Sequence, residues 1–194
     1  MGRWEPDARG RLERAALALY EERGFEHTTV AEIAARAGLT ERTFFRYFTD
    51  KREVLFAGAG ALQGLLVDAV ADLPPSAAPI DAMAAALDAA TGMFEERRDH
   101  AVQRQAVILA NPELQERELI KLARLAAALA DALRQRGVRD PAASLAAETG
   151  IAVFKIAFER WISETNRRTL SQLIHESFEE LKAVASGSTS RSSS

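Results

Sequence analysis

Apolar residues recur at spacings of three and four along most of the chain, and no stretch alternates β-branched and polar positions as a half-buried strand would. The pattern predicts an all-α fold. A first helix is expected over residues 8–23, where Leu12, Ala15, Ala16, Leu19 and Tyr20 share one face and Gly24 supplies the stop. Thr29 with Glu32 three residues on has the form of a capping box, each side chain satisfying a backbone N–H that a helix start leaves unpaired. It opens a short helix over 30–37. Gly38 then ends that helix, Leu39 is placed for burial in the turn, and Thr40 caps a third short helix over 41–48. A longer helix is expected over 51–73, ended by Pro74 and Pro75. Others follow over 80–97, 99–110, 112–136, 141–165 and 170–185, about nine in all. Asn111-Pro112 and Asp140-Pro141 each put a capping side chain before a proline at a first helical position, and Gly137 closes the helix between them.

Residues 29–48 have the length and punctuation of a helix-turn-helix, braced by the first helix. Ile33, Ala34 and Ala37 on the second helix would meet Phe44 and Phe48 on the third, which lie four apart on one face. That leaves Glu41, Arg42, Thr43, Phe45, Arg46 and Tyr47 outward. An α-helix fits the major groove of DNA, Arg can donate twice to guanine O6 and N7, and a Thr methyl can touch a thymine methyl. Arg42 and Thr43 are therefore the candidates for base reading. Thr28, Thr29, Arg46, Tyr47 and Lys51 suit phosphate contacts, with Thr40 and Glu41 at the start of the same helix.

Composition sharpens this in two ways. The absence of cysteine excludes disulfides, thiolate metal sites and cysteine nucleophiles. The formal net charge of −3 at first argues against nucleic acid as a partner. Its distribution reverses that argument, because residues 36–52 hold five basic and two acidic side chains while the segments on either side are net acidic. No window reaches the ~18 consecutive apolar residues of a membrane span, and the first six residues lack a signal-peptide h-region, so a cytoplasmic location is expected. Pro6 also stands where a myristoylation motif wants Ser or Thr.

The run from Thr29 to Lys51, TVAEIAARAGLTERTFFRYFTDK, resembles the DNA-binding signature of the TetR family of bacterial transcriptional regulators, over roughly residues 8–56. The segment from Asn111 through Val138 to Trp161 is similar to the C-terminal domain of actinobacterial members. The resemblance implies a homodimer, usually a repressor, on a palindromic double-stranded DNA operator, with a divergent helical domain for ligand and dimer contacts. Phe45 departs from the pattern. It occupies a position where the family commonly has a phosphate-bonding Tyr, and without a hydroxyl it can make only apolar or stacking contacts.

The expected division is a reading head over 1–52, a ligand-binding and dimerisation domain over 53–185 and a solvated Ser-rich tail over 186–194. A lipophilic effector pocket would draw its lining from Met83, Leu87, Met93, Phe94, Ile108, Leu122, Phe154, Phe158 and Trp161, with Gln105 or Asn111 to orient a polar group. The helix over 141–165 is apolar around much of its circumference. Leu145, Ile151, Val153 and Ile162, with Leu170, Leu173, Ile174, Phe178 and Leu181 of the last helix, are the expected dimer face. Gly58, Gly60 and Gly64 weaken the helix joining the domains, which suits a segment that must shift. His27, His100 and His175 form no metal-ligand spacing, and no catalytic constellation or cofactor motif emerges, so a non-enzyme is expected. Two rival readings stay open: a regulator with a filled core and no effector, and a helical lipid carrier or enzyme without DNA function.

Overall fold

The computed structural model describes residues 7–187; from residue 188 onward the expected tail lies outside the described residues. Nine α-helices and no strand occur among the described residues: α1 (Ala8–Arg23), α2 (Val30–Arg36), α3 (Glu41–Tyr47), α4 (Ala59–Ala71), α5 (Pro79–Glu95), α6 (Arg98–Leu109), α7 (Pro112–Gln135), α8 (Ala142–Ile162) and α9 (Leu170–Ala185). A 3-10 turn, Glu53–Phe56, separates α3 from α4.

That turn corrects the single helix expected over 51–73. Asp50 accepts the Glu53 N–H at 2.9 Å, and the Glu53 carboxylate turns back to the Thr49 hydroxyl at 2.6 Å. This reciprocal pair starts a new turn instead of continuing α3. Residues 53–71 are together long and apolar enough for a membrane-crossing helix. The break leaves α4 with 13 residues, about 20 Å of helix against the ~30 Å of a bilayer's hydrocarbon core.

Both Xaa-Pro caps are also corrected. The Asn111 amide donates to the Val107 carbonyl at 2.7 Å, closing α6 instead of opening α7. The Asp140 carboxylate is occupied by the Arg134 guanidinium at 2.7 Å and the Ser144 hydroxyl at 3.0 Å, and α8 begins after Pro141 with no side-chain cap.

The chain forms two compact units. Among the described residues, one takes those up to Gly60 together with Asp99–Glu118; the other takes Ala61–Arg98 and those from Leu119. In the first unit Leu12, Leu19, Ile33, Phe44 and Phe48 share a core with Val107, Ile108 and Leu114. Residues 99–118, assigned by sequence to the ligand domain, therefore help to build the core behind the helix-turn-helix. Periodicity shows that α6 has an apolar face but not which neighbour covers it.

The second unit is centred on α5, α8 and α9. Ala82, Ala86 and Ala90 of α5 and Ala143, Ala147, Gly150 and Ala157 of α8 are buried, and small residues permit close approach of the two helices. A Cβ at Gly150 would lie 3.2 Å from the Cβ of Met83 and closer still to its terminal methyl. Arg98 holds the end of α8, donating to the carbonyls of Trp161 and Ser163 at 3.0 Å each. Arg136 does the same for α4, donating to Val70 at 3.0 Å.

Gly64 stands exposed inside α4 with nothing within 4 Å of where a Cβ would be. Gly64→Ala is expected to raise the urea-unfolding free energy by about 0.5–1 kcal/mol, the helix-propensity difference. Gly150→Ala has the same propensity gain but meets Met83, and is expected to lower stability by about 1 kcal/mol. Equal shifts for the two variants would contradict the close α5–α8 packing.

Candidate nucleic-acid interface

The short helices α2 and α3 are held by their ends. Thr29 Oγ1 accepts the Glu32 N–H at 3.3 Å while Glu32 accepts the Thr29 N–H at 2.9 Å, the capping box expected from sequence. The Thr29 N–H, the Thr29 hydroxyl and Arg23 hold the Glu32 carboxyl below the ordinary carboxylate range, in that order of importance. At the other end of α2 the Arg11 guanidinium donates to the Ala37 carbonyl. Gly38 follows at φ +67°, and a Cβ there would lie 2.8 Å from that guanidinium, so glycine is required both by conformation and by space. Leu39, half-buried in the turn, donates to the Ala34 carbonyl at 2.8 Å, and Thr40 Oγ1 caps α3 by accepting the Thr43 N–H at 3.2 Å.

α3 is divided into two faces. Phe44 and Phe48 are buried, with ring centroids 5.4 Å apart. Glu41, Arg42, Phe45, Arg46 and Tyr47 are exposed, and Thr43 is half-buried with its hydroxyl 3.1 Å from that of Thr40. Arg46 lies over the Tyr47 ring, 4.9 Å from its centroid, and donates to the Tyr47 hydroxyl at 3.2 Å. Arg42 has no polar partner among the described residues. A guanidinium with five free donors on a helix face that is narrow enough for a groove is equipped to bind base edges or phosphates.

Two of the residues expected at phosphates do something else. Thr28 is 1% exposed, and its hydroxyl donates to the Gly24 carbonyl at 2.9 Å, so it braces the α1–α2 turn. The Lys51 ammonium donates to the carbonyls of Phe25, Glu26 and Thr28 at 2.8, 3.2 and 3.0 Å and lies 4.4 Å from the Phe25 ring centroid. All its donors are used inside the protein. Its own carbonyl accepts the Tyr20 hydroxyl at 2.6 Å. Burial, and secondarily the Asp50 charge, push that phenol far above its ordinary pKa. Thr29 and Thr40 are exposed, with their hydroxyls engaged in the caps.

One feature of the first unit leaves no trace in the local sequence. The Phe56 ring has the guanidinium groups of Arg104 and Arg117 at 5.2 and 5.6 Å from its centroid. Arg104 is paired with Glu118 at 2.6 Å, and Arg117 with Asp50 at 3.5 Å. The segment leaving the reading helix is thus gripped by α6 and the first turns of α7.

In the second unit four of the expected pocket residues come together: Phe94, Phe154, Phe158 and Trp161 form a chain of ring contacts 5.5–5.9 Å long. Met83 and Leu87 are buried, Met93 is exposed, and Leu122 borders an open groove of about 420 Å³ shared with Leu119, Ile151, Lys155 and Ile156. Ile108 and Gln105 are not part of this group, since both lie in the first unit, where Ile108 is core. Among the expected dimer residues, Ile151, Val153, Leu170, Leu173, Ile174 and Phe178 are buried by the chain itself. Ile162 and Leu181 are half-buried, and Leu145 is 63% exposed.

Removing the Lys51 ammonium takes the donor from the Glu26 and Thr28 carbonyls, while the Phe25 carbonyl keeps the Thr28 N–H at 3.3 Å. Lys51→Met is expected to cost about 1–3 kcal/mol in urea unfolding, because the half-buried turn loses hydrogen bonds from a charged donor. Arg42→Ala is expected to leave the midpoint unchanged. A Lys51→Met protein as stable as the parent would reject the bracing role.

Residues 13–57 match the family model for bacterial regulatory proteins of the TetR family, and residues 77–186 match that for the MftR C-terminal domain. The HTH-type transcriptional regulator TcmR of Streptomyces glaucescens is 36% identical over 88 residues, which are 45% of this chain and 39% of TcmR, so the match spans about two fifths of that protein. MftR of Mycobacterium tuberculosis is 30% identical over 158 residues, 77% of each chain. The crystal structure of Thermus thermophilus FadR, a TetR-family transcriptional repressor in complex with lauroyl-CoA, is 25% identical, covers 95% of this chain and 97% of its own, and superposes with a TM-score of 0.59. With a helix-turn-helix whose outward face is free, and with matches to both halves, the chain belongs to the TetR family of bacterial transcriptional regulators.

Proposed function

We propose that this protein is a cytoplasmic homodimeric repressor that holds a palindromic operator through α3 and releases it when a small lipophilic molecule binds the second unit. The observation that carries the reading is the exposed face of α3, on which Arg42 is unpartnered within a segment of net positive charge. Two such helices related by a C₂ axis would enter successive major grooves ~34 Å apart. With most of the expected dimer residues already covered, the surface left for a second copy is the exposed apolar part of α7 and α8: Leu119, Ile120, Leu145 and Ile156.

The lauroyl-CoA held by Thermus thermophilus FadR supports an acyl chain as the lipophilic effector, and the Phe94, Phe154, Phe158 and Trp161 cluster is the apolar, aromatic environment such a chain would seek. An effector changes operator affinity only through different affinities for the two protein states. The hold of Arg104 and Arg117 on Phe56 is the point at which a movement of α6 and α7 would reach the reading helix.

The test uses fluorescence anisotropy on duplexes from the region beside the protein's own gene. Binding is expected to fall steeply with salt. Arg42→Ala should lose about tenfold or more of the preference over unrelated DNA, and Arg46→Ala should weaken binding to all sequences and reduce the salt slope by about one. Lauroyl-CoA should release the bound duplex from the wild-type protein. Binding with no sequence preference would reject the regulator reading, whereas preference without release would reject the acyl effector alone.

A further inference from the structure

We propose that Phe45 is a specificity residue that reads thymine, its ring seated on the C5 methyl group in the major groove beside the exposed Arg42. The inference rests on the reading of α3 as the DNA-contacting helix and goes beyond it by naming a base and an atom.

Exposure alone would not carry this, because isolated exposed apolar side chains are common on protein surfaces. Three further observations do. First, the ring is 55% exposed yet anchored: its edge packs on Phe44 with centroids 5.5 Å apart and planes at 83°, and Phe44 is wholly buried. The exposed part thus stands on a buried support. Second, Arg42, three residues before Phe45 and therefore beside it on the helix surface, is exposed and has no polar partner among the described residues. A guanidinium there selects guanine edges or phosphates, which brings the ring to the groove floor instead of to another protein surface. Third, phenylalanine can neither donate nor accept a hydrogen bond. Of the groups that the four base pairs present in the major groove, the thymine C5 methyl is the one apolar partner. Thr43, the other residue of this helix with a methyl to offer, is half-buried and has its hydroxyl 3.1 Å from that of the capping Thr40. The Tyr47 ring is less exposed and has the Arg46 guanidinium 4.9 Å from its centroid, so the apolar share of base reading falls to Phe45.

The experiment starts from duplexes enriched from a random-sequence library by the full-length wild-type protein. Each thymidine that the enrichment selects is then replaced singly by deoxyuridine, which removes the methyl and keeps the pairing. Wild-type protein is expected to lose about fourfold in affinity at one position of each half-site, the value of one buried methyl-sized group. Phe45→Ala, which loses one ring contact with Phe44, should stay folded under the binding conditions, bind the thymidine duplex more weakly and show no difference between thymidine and deoxyuridine. A wild-type protein indifferent at every thymidine overturns the proposal, as does a Phe45→Ala protein that keeps the fourfold loss; both leave the regulator reading standing. Weaker binding by Phe45→Ala without any deoxyuridine effect assigns the ring to stacking and also overturns it. Failure to enrich any sequence rejects the regulator reading itself, and this proposal with it.

Discussion

The geometry of the reading head depends on one ammonium group. Lys51 stands just beyond α3 and satisfies three carbonyls of the turn between α1 and α2, while its own carbonyl takes the Tyr20 hydroxyl. The start of the domain and the exit of its third helix are thereby tied at a single residue. Losing these charge-assisted hydrogen bonds together would cost on the order of 1–3 kcal/mol. The exposed pairs Arg23–Glu32 and Arg36–Glu22 also join α1 to α2, but such pairs contribute only ~0.2–1 kcal/mol each. The half-buried tie outweighs either surface pair in fixing where α3 points.

That fixed orientation allows a helix of seven residues to divide its labour. Phe44, with Phe48 just past the helix end, supplies the apolar anchor, and the intervening positions remain outside. Phe56 is the corresponding anchor on the other side of the junction, held between Arg104 and Arg117. Residues near 50 and near 110 thus act on one another within one compact unit. A regulator of this kind needs such a joint, because an effector can act only if the reading helix is attached to something that changes.

Much of this was legible in the sequence because caps and glycine stops are local. The Thr29–Glu32 box, the Thr40 cap and the left-handed Gly38 involve residues at most a few positions apart, and each occurs as the spacing predicts. The outward and inward faces of α3 followed from helical period alone. Errors arose where the partner is distant. Lys51 reads as a free cation until the α1–α2 turn is placed beneath it, and Thr28 reads as a surface hydroxyl until Gly24 and Leu19 are seen to accept from it. Leu173, Ile174 and Phe178 have the pattern of an interface because a helix covered by its own chain and one covered by a second copy bury the same residue types. Ile108 was assigned to a ligand pocket for the same reason, although it completes the core behind the reading helix.

The central claim is that the exposed side of α3 is the surface that meets DNA. Hydroxyl-radical footprinting of the protein, with and without a saturating enriched duplex, measures it at individual side chains. Phe45 and Tyr47 are exposed on α3, and Met93 is exposed on α5 in the other unit. DNA is expected to lower oxidation of Phe45 and Tyr47 sharply and to leave Met93 unchanged. Bound DNA with Phe45 and Tyr47 still fully reactive would contradict the claim.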